Sequence, residues 1–328
     1  IECIPNVSTA DPALLERMSA AIQAVDQVDL RFVDPGASAN RTVFTYLGPA
    51  HRVFEATRAL FECARQHIDM RVHRGVHPRM GAVDVCPFVL LDPSVEQEQL
   101  ITDALGFGAA LSEELGVALY GYEDAAQEGQ PKELALVRKG EYEALAQRFA
   151  EGDLPQLGPQ QWSEDVARFG ATAFGVRPLM VAYNVNVTGL PKEELLQVAK
   201  QIAGRIRARD GGMPGVKSIG WYLPDFDAVQ VSCNLTKPSE AGVCEVFDRV
   251  RALAKEYGCE APSSELIGCI PKSQFTRYTP DLYNALPSPP TAQSSPNGAD
   301  SDPFLYGQMT PLAYICGTPT SLVTFLER

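Results

Sequence analysis

Residues 179–208, LMVAYNVNVTGLPKEELLQVAKQIAGRIRA, join an apolar run to a segment in which apolar side chains recur every three or four positions. The run over 179–187 predicts a buried strand, and the periodic segment over 190–208 predicts an amphipathic helix. Two strand patterns, a second helical pattern and a last strand follow, over 216–223, 228–236, 240–257 and 264–270. The predicted order of this half is therefore β-α-β-β-α-β.

The same order occurs near the start of the chain. A strand, a helix, two strands, a helix and a strand are predicted over 1–7, 12–25, 28–33, 42–47, 49–68 and 84–91. Asp11 before Pro12 is a typical start of a helix, and Asp34-Pro35-Gly36 predicts a turn between the two middle strands. The repeat predicts an α/β (α+β) fold of two open-sheet β-α-β-β-α-β subdomains with helices on their outer faces.

The remaining segments set the domain boundaries. Between the two copies we expect a helix over 95–115, a strand over 117–122 and a helix near 141–150. Residues 151–170 are polar and poorly periodic, which is typical of a long functional loop, and the stretch after 286 is rich in Pro and Ser, which favours a linker. We expect an N-terminal subdomain, a C-terminal subdomain, a linker and an extension of unassigned docking over 1–177, 178–286, 287–303 and 304–328.

Composition excludes several classes of protein. The 28 Lys and Arg against 41 Asp and Glu give a net charge of −13, which repels phosphate backbones and excludes general nucleic-acid binding. No apolar run approaches the roughly 20 residues that cross a bilayer, so we expect no membrane insertion. The eight cysteines lack CxxC spacing, which favours reduced, buried cysteines of an intracellular protein. We expect the cytoplasm, with an organelle as the alternative because the sequence begins at Ile1 without a Met.

A basic segment, Arg71 to Gly81, carries two of the four histidines of the chain, His73 and His77, and no acidic residue. Gly75 and Pro78 predict a loop, and loops between a helix and a core strand often present catalytic groups. Histidine titrates near neutral pH and suits proton transfer. The same Gly and Pro oppose a helix that would face both histidines one way, so we expect no metal. The sequence also lacks the GxSxG, GxGxxG and GxxxxGK[ST] motifs.

Several motifs along residues 1–271 together resemble glutamate formiminotransferase, the formiminotransferase domain of the formiminotransferase-cyclodeaminase family. They are ECIPN (2–6), DPG (34–36) with NRT (40–42), HPRMGAVDVCPF (77–88), GEYE (140–143), GAT (170–172), AYNVN (182–186), GWYL (220–223) and QVS (230–232). The resemblance implies two α/β subdomains with a folate groove between them, and a homodimer. No cyclodeaminase domain is expected after residue 271.

The resemblance also implies an activity and its residues. It implies transfer of a formimino group between N-formimino-L-glutamate and N5 of tetrahydrofolate, in histidine degradation and one-carbon metabolism. The co-substrate is then tetrahydrofolate as its 5-formimidoyl or 5-formyl form, without a metal. His77 is implied as the catalytic base and acid, with Asp34 as its partner. The implied substrate and folate contacts are Arg41, Arg71, His73, Arg74, Arg79, Gly158-Pro159, Phe169-Gly170, Arg177 and Asn184.

Departures from the family pattern keep a second hypothesis open. The family reads HKGEHPRMG where this chain has Arg74 for Lys and Val76 for Glu, and its C-terminal part differs after Pro271. The alternative is a formiminotransferase-fold protein that is weakly active or inactive and serves as an accessory subunit of a larger complex. A related enzyme that acts on 5-formyltetrahydrofolate is a third hypothesis.

Overall fold

The computed structural model describes residues 1–92, 94–223, 227–267, 269–271 and 304–306, of which 265–267, 269–271 and 304–306 are described only by their backbone. The chain divides into two compact units, Ile1–Pro178 and Leu179–Arg328. The predicted linker, 287–303, lies outside the described residues, and the predicted extension is described only at 304–306.

The first unit is a mixed sheet with helices on it. Its strands are β1 (Glu2–Cys3), β2 (Asn6–Val7), β3 (Asp29–Gly36), β4 (Arg41–Leu47), β5 (Val83–Val89), β6 (Ala118–Glu123) and β7 (Ala171–Val176). Its helices are α1 (Pro12–Gln23), α2 (Ala50–His67), α3 (Gln97–Leu115), α4 (Leu134–Val137), α5 (Glu141–Glu151) and α6 (Glu164–Phe169). The strand order is β1-β4-β2-β5-β7-β6 with β3 on β4, and the β5–β7 and β7–β6 pairs are parallel.

The start of this unit follows its local sequence signals. The Asp11 side chain accepts the Leu14 N–H at 3.0 Å and caps α1, as predicted. The predicted strand over 1–7 is instead two short strands, because Pro5 has no N–H to continue the ladder. The sheet still closes around it, since Ile4 donates to Pro87 O and Phe44 donates to Pro5 O.

The turn predicted at Asp34-Pro35-Gly36 is wrong. These residues belong to β3, which pairs with β4 as far as Gly36 opposite Arg41, so the connecting turn is 37–40. β3 pairs only with β4 among the described strands, and an edge strand tolerates a proline because one of its sides needs no donor.

Three elements of this unit, α4, α6 and β7, were not predicted. Helix α6 lies in the segment expected to be a loop, and the Ser163 side chain caps it by accepting the Val166 N–H at 3.3 Å. Strand β7 is buried at every position, so it lacks the alternation that marks a half-buried strand. All three are only four to six residues long, too short for a periodic signal to stand out.

Two apolar clusters cover the two faces of the sheet in the first unit. Cys86, Leu119 and Phe174 pack with α1, α2 and α3, whereas their strand neighbours Val85 and Tyr120 pack with α4, α5 and α6. Successive strand residues face opposite sides, so this sheet is covered on both faces over β5, β7 and β6. The segment between the two sequence repeats therefore adds a second helical layer.

The second unit has the predicted β-α-β-β-α-β order. It contains β8 (Val181–Thr188), α7 (Lys192–Ile206), β9 (Val216–Leu223), β10 (Ala228–Leu235), α8 (Val243–Glu256) and β11 (Glu260–Ile267). Its antiparallel sheet has the order β11-β8-β10-β9, and both helices share one core with it. A 3-10 turn spans Ala208–Asp210, and β12 (Cys269–Pro271) pairs with β13 (Phe304–Tyr306).

None of the six cysteines whose side chains the structure describes forms a disulfide, and all of them except the half-buried Cys63 are buried, which agrees with the prediction of buried cysteines for that part of the chain. Among the helices of the described residues, none is long and apolar enough to cross a membrane.

A close backbone approach ties β7 to the segment before β5, and it gives a stability prediction. Gly170 has φ +76° and ψ −146°, and a Cβ there would lie 2.3 Å from Met80 O. We expect Gly170→Ala to cost about 3 kcal/mol or more of unfolding free energy, since this backbone region is nearly restricted to glycine. Gly152→Ala is the matched control, with φ +83° and no atom within 4 Å of the added carbon, and it should cost about 1 kcal/mol. Equal losses for the two variants in urea unfolding would contradict the close approach.

Candidate active site

The basic segment forms the connection between α2 and β5, and it lies against the β3–β4 turn. Val76 N–H donates to Ser38 O at 3.2 Å, and Asn40 Nδ2 donates to Arg74 O at 2.9 Å. A Cβ on Gly75 would lie 2.1 Å from Ala39 O, so only glycine permits this contact. The loop that carries both histidines is therefore held by the main chain of a neighbouring turn.

His73 is buried and has both ring nitrogens occupied. Its Nε2 lies 2.9 Å from Asn40 O, and because a carbonyl only accepts, Nε2 carries the proton. Its Nδ1 then accepts from Arg79 Nε at 3.3 Å. Burial, with smaller effects of Arg79 and Arg74, lowers the pKa of His73. His73 is thus a neutral side chain that holds the loop together.

His77 has the opposite tautomer. Its Nδ1 lies 2.8 Å from Pro78 O, so Nδ1 is the donor and Nε2 keeps its lone pair. Among the described residues, none forms a hydrogen bond to that Nε2. Burial, followed by the charges of Arg41 and Arg138, lowers the pKa of His77 to about 4. At neutral pH the imidazole is therefore uncharged and presents one basic nitrogen.

The charges around His77 centre on Asp84, which is fully buried in β5. Its Oδ2 is bonded by Arg41 Nη1 and, at 2.7 Å, by Arg138 Nη1, and its Oδ1 accepts the Met80 N–H at 2.8 Å. Burial raises the pKa of Asp84, but the two guanidinium groups outweigh burial and hold it below its usual range. Asp84 is therefore an ionised carboxylate between two cations.

The sequence analysis missed both Asp84 and Arg138 as site residues. An acid in the otherwise apolar run VDVCPFV is a usable signal, because a buried carboxylate needs a partner. Arg138 gave no such signal, since it lies just after the short helix α4 and next to polar residues that are typical of a protein surface.

Arg79 is buried and already bound to carboxylates of α5. Its Nη1 and Nη2 lie 2.8 and 2.6 Å from the two oxygens of Glu143, and its Nη1 lies 3.5 Å from Glu141 Oε2. This two-pronged contact joins the HPRMG motif to the GEYE motif. As it stands, the Arg79 guanidinium is occupied by the protein.

The other predicted arginines differ in how strongly the protein holds them. Arg71 is bonded by Asp69 and Glu164. Arg74 is exposed, and within the described residues its guanidinium bonds only main-chain oxygens, His73 O at 2.7 Å and Arg71 O at 3.5 Å. Arg177 is buried and donates to Pro178 O at 3.0 Å. Arg74 is thus the least committed of these cations.

An open cavity of about 600 Å³ lies beside the basic segment. Arg74, His73, Asn40 and Arg17 are among its lining residues, but His77 is not. The cavity therefore adjoins the loop on the side of Arg74.

The predicted partner of His77, Asp34, lies in β3 opposite Val43 of β4. The carboxylate with the largest effect on the charge of His77 is Asp84. A role for Asp34 stays a prediction.

The segment predicted to bind folate is folded back on the first unit. Gly158, with φ +95°, approaches the main chain so closely that a Cβ would lie 2.1 Å from Val117 O; Pro159 follows it. Phe169 is buried, and its ring stacks on Phe61 with centroids 6.0 Å apart. Gly170 pairs with Gly81 across an isolated bridge. The end of this segment therefore contacts the end of the loop that carries His77.

Asn184 belongs to the second unit, where it lies buried on β8. Tyr183 and Val185 face the helices, so Asn184 faces the other side of the sheet. Asn186 shares that side in a chain of hydrogen bonds between polar side chains: Trp221 to Gln230 at 3.0 Å, Gln230 to Asn186 at 2.9 Å and Asn186 to Ser263 at 2.8 Å.

Within the described residues, no group of three His, Cys, Asp or Glu side chains could hold a metal ion.

The buried cluster gives the second prediction. Among the described residues, Asp84 is the only carboxylate bonded to the two largely buried guanidinium groups of Arg41 and Arg138. Asp84→Asn removes this charge, so we expect a loss of about 3–5 kcal/mol in unfolding free energy. Asp153→Asn, which breaks the half-exposed pair with Arg148, should cost about 1 kcal/mol or less. The measurement is chemical denaturation at pH 7 followed by circular dichroism. A loss below 1 kcal/mol for Asp84→Asn would show that Asp84 is not the centre of a buried ionic cluster.

Comparisons with known proteins match both parts of the chain to one family. Residues 1–177 match the formiminotransferase domain, N-terminal subdomain, and residues 182–282 match the formiminotransferase domain. The chain is 36% identical over 276 residues to glutamate formimidoyltransferase of Thermoplasma acidophilum, covering 83% of this chain and 88% of that protein. It is 34% identical over 273 residues to glutamate formimidoyltransferase of Streptococcus pyogenes serotype M1, and the match covers 83% of this chain and 89% of that protein.

Formimidoyltransferase-cyclodeaminase of Dictyostelium discoideum is 36% identical over 275 residues, which cover 83% of this chain. The chain spans about half of that relative, 50% of its length. The matches run through both units and include the segments that build the site. The chain belongs to the formiminotransferase family.

Proposed function

We propose that this chain transfers a formimino group between N-formimino-L-glutamate and N5 of tetrahydrofolate, with His77 as the base and then the acid. The observation that carries the proposal is the state of His77. Its Nδ1–H is held by Pro78 O, which leaves a neutral imidazole with Nε2 available for a proton. Family membership supplies the reaction, and histidine degradation is the setting that it implies.

The reaction needs one proton to move from one nitrogen to another. As N5 bonds to the amidine carbon, His77 Nε2 takes the N5 proton; as the bond between that carbon and the glutamate nitrogen breaks, Nε2 returns the proton to the glutamate nitrogen. No atom or electron is left over, and no metal takes part in the proposal. Such a group contributes about 10²- to 10⁴-fold to the rate.

The low pKa of His77 acts differently on the two halves of this reaction. An imidazole with a pKa of about 4 is a weak acceptor for the N5 proton. Once protonated, it is a strong acid toward the leaving nitrogen. The site therefore favours fast return of the proton and a short-lived imidazolium.

Among the predicted arginines, Arg74 is best suited to hold a substrate carboxylate. Arg41 and Arg79 are buried and bonded to Asp84 and Glu143. Within the described part of the chain the Arg74 guanidinium bonds only main-chain oxygens, and Arg74 lines the 600 Å³ cavity. A guanidinium binds a carboxylate through a two-pronged contact. We therefore assign Arg74 to a carboxylate of glutamate or of the folate tail.

Folate binding is proposed for the segment from Gly158-Pro159 to Phe169-Gly170, with Arg177 and Asn184. The bridge between Gly170 and Gly81 supports it, since that bridge joins the segment to the loop that bears His77. A folate groove between the subdomains, a homodimer and a cytoplasmic location stay predictions.

Val76 is one of the three features that motivate the hypothesis of an accessory subunit, together with the altered C-terminal part and the low-complexity linker. The Val76 side chain is 75% exposed, and the contacts described for this residue are made by its backbone N–H, which donates to Ser38 O. The ion pairs of Arg41, Asp84 and Arg138 are complete without a carboxylate at position 76. This favours the enzyme over the accessory role.

The third prediction tests His77 itself. We expect His77→Ala to lower kcat by about 10²-fold or more without a loss of fold, because the partly buried imidazole belongs to none of the apolar core clusters. The measurement is release of glutamate from N-formimino-L-glutamate that depends on tetrahydrofolate. His51→Ala, an exposed histidine on α2, is the control and should match the wild type. Near wild-type turnover in His77→Ala would exclude His77 as the base, and a wild-type protein with no turnover would favour the accessory role.

The fourth prediction separates binding from chemistry. Arg74→Ala removes a charged hydrogen-bond partner worth about 1.5–3 kcal/mol, so 5-formyltetrahydrofolate binding or the KM for N-formimino-L-glutamate should weaken about 10- to 100-fold, with kcat changed little. Calorimetric titration and steady-state kinetics measure the two quantities. Arg209→Ala, which removes an exposed arginine of the second unit, serves as the charge-matched control. Unchanged binding of both ligands would remove Arg74 from the site.

A further inference from the structure

The carbonyl oxygen of Pro78 accepts two hydrogen bonds. His77 Nδ1 lies 2.8 Å from it and Arg138 Nη1 lies 3.2 Å from it. The two nitrogens are therefore at most about 6 Å apart. The oxygen that fixes the ring of His77 is itself fixed by a guanidinium from another element.

Arg138 is held in turn by a buried anchor. The same Nη1 lies 2.7 Å from Asp84 Oδ2, and Asp84 is also bonded by Arg41 and by the Met80 N–H. Asp84 is wholly buried within β5, so it cannot shift without disturbing the sheet. A continuous path of hydrogen bonds thus runs from β5 through Arg138 and Pro78 to the imidazole.

We propose that Arg138 is a positioning residue for His77: through Pro78 O and Asp84 it holds the imidazole in the tautomer and orientation that present Nε2 for proton transfer. The role of this arrangement in proton transfer rests on the proposed function. The positioning of the ring stands on the distances alone.

Arg138 also acts on the charge of His77. Three groups have the largest charge effects on it: Arg41 and Arg138 disfavour the imidazolium, and Asp84 favours it. Without Arg138 the remaining two are one cation and one anion, so the pKa of His77 must rise. With Pro78 O no longer anchored, the ring can also populate its other tautomer.

An ordinary structural ion pair would behave differently. If Arg138 only neutralised Asp84, its loss would lower stability and leave the tautomer and titration of His77 as they are. The ring nitrogens of a histidine differ in their ¹⁵N shifts in each tautomer, so nuclear magnetic resonance separates the two cases without any assay of activity.

The experiment uses the full chain with ¹⁵N- and ¹³C-labelled histidine, in which His77→Gln identifies the His77 signals among those of the four histidines. In the wild type we expect the proton on Nδ1 and a titration near pH 4. In Arg138→Met we expect a titration at least about one pH unit higher and a mixture of tautomers. Arg138→Lys, which keeps the charge, should restore part of the low titration, and Lys139→Met, the exposed neighbouring cation, should match the wild type.

Kinetics of the same variants test the link to the reaction. Arg138→Met should lower kcat by about tenfold or more while the KM for N-formimino-L-glutamate stays within about twofold, since orientation and not substrate contact is lost. Folded Arg138→Met with wild-type His77 titration and ¹⁵N shifts would overturn the inference. If those signals change but His77→Gln keeps full turnover, the proposed function fails and the positioning of His77 by Arg138 stands.

Discussion

The contact on which the rest of the site depends is the one between the carboxylate of Asp84 and the guanidinium groups of Arg41 and Arg138. A charge in the middle of a buried strand is costly unless it is paired and hydrogen-bonded. Here both oxygens are satisfied, one by two arginines and the other by the Met80 N–H. Since Arg41 begins β4 and Arg138 follows α4, the pairing requirement of one residue fixes elements that are distant in sequence.

The two histidines of the loop show what this environment does to identical side chains. His73 faces Asn40 O and Arg79, which occupy both of its ring nitrogens. His77, four residues later, has one nitrogen held by Pro78 O and the other unbonded within the described residues. Burial lowers the pKa of both side chains, but only His77 keeps a ring nitrogen without a hydrogen-bond partner among the described residues. The two residues are of the same type and lie in the same loop. Their different hydrogen-bond partners therefore determine which ring nitrogen can take a proton.

The sequence predicted most of the fold because its long elements carry clear periodic patterns. Helices α2, α3 and α7 begin and end within two residues of their predicted bounds. The elements α4, α6 and β7 were not predicted, because they are only four to six residues long. The turn predicted at Asp34-Pro35-Gly36 was wrong because these residue types favour turns, whereas pairing with β4 keeps them in a strand. For the site, the motif resemblance predicted His77 and several arginines. It did not predict Arg138, because the proposed role of Arg138 depends on the carbonyl oxygen of Pro78, whose position is known only from the folded loop.

The exposure of position 76 separates the valine that replaces the glutamate of the family pattern from the buried ion pairs. At equal separation, two charges interact about four times more strongly at an effective dielectric constant near 20 than in water. Asp84, Arg41 and Arg138 lie in the buried environment, and the side chain at 76 lies in the solvent. The charge state of His77 is therefore controlled mainly by burial and by the charges of Arg41, Arg138 and Asp84. A valine at the surface of the loop leaves that control in place.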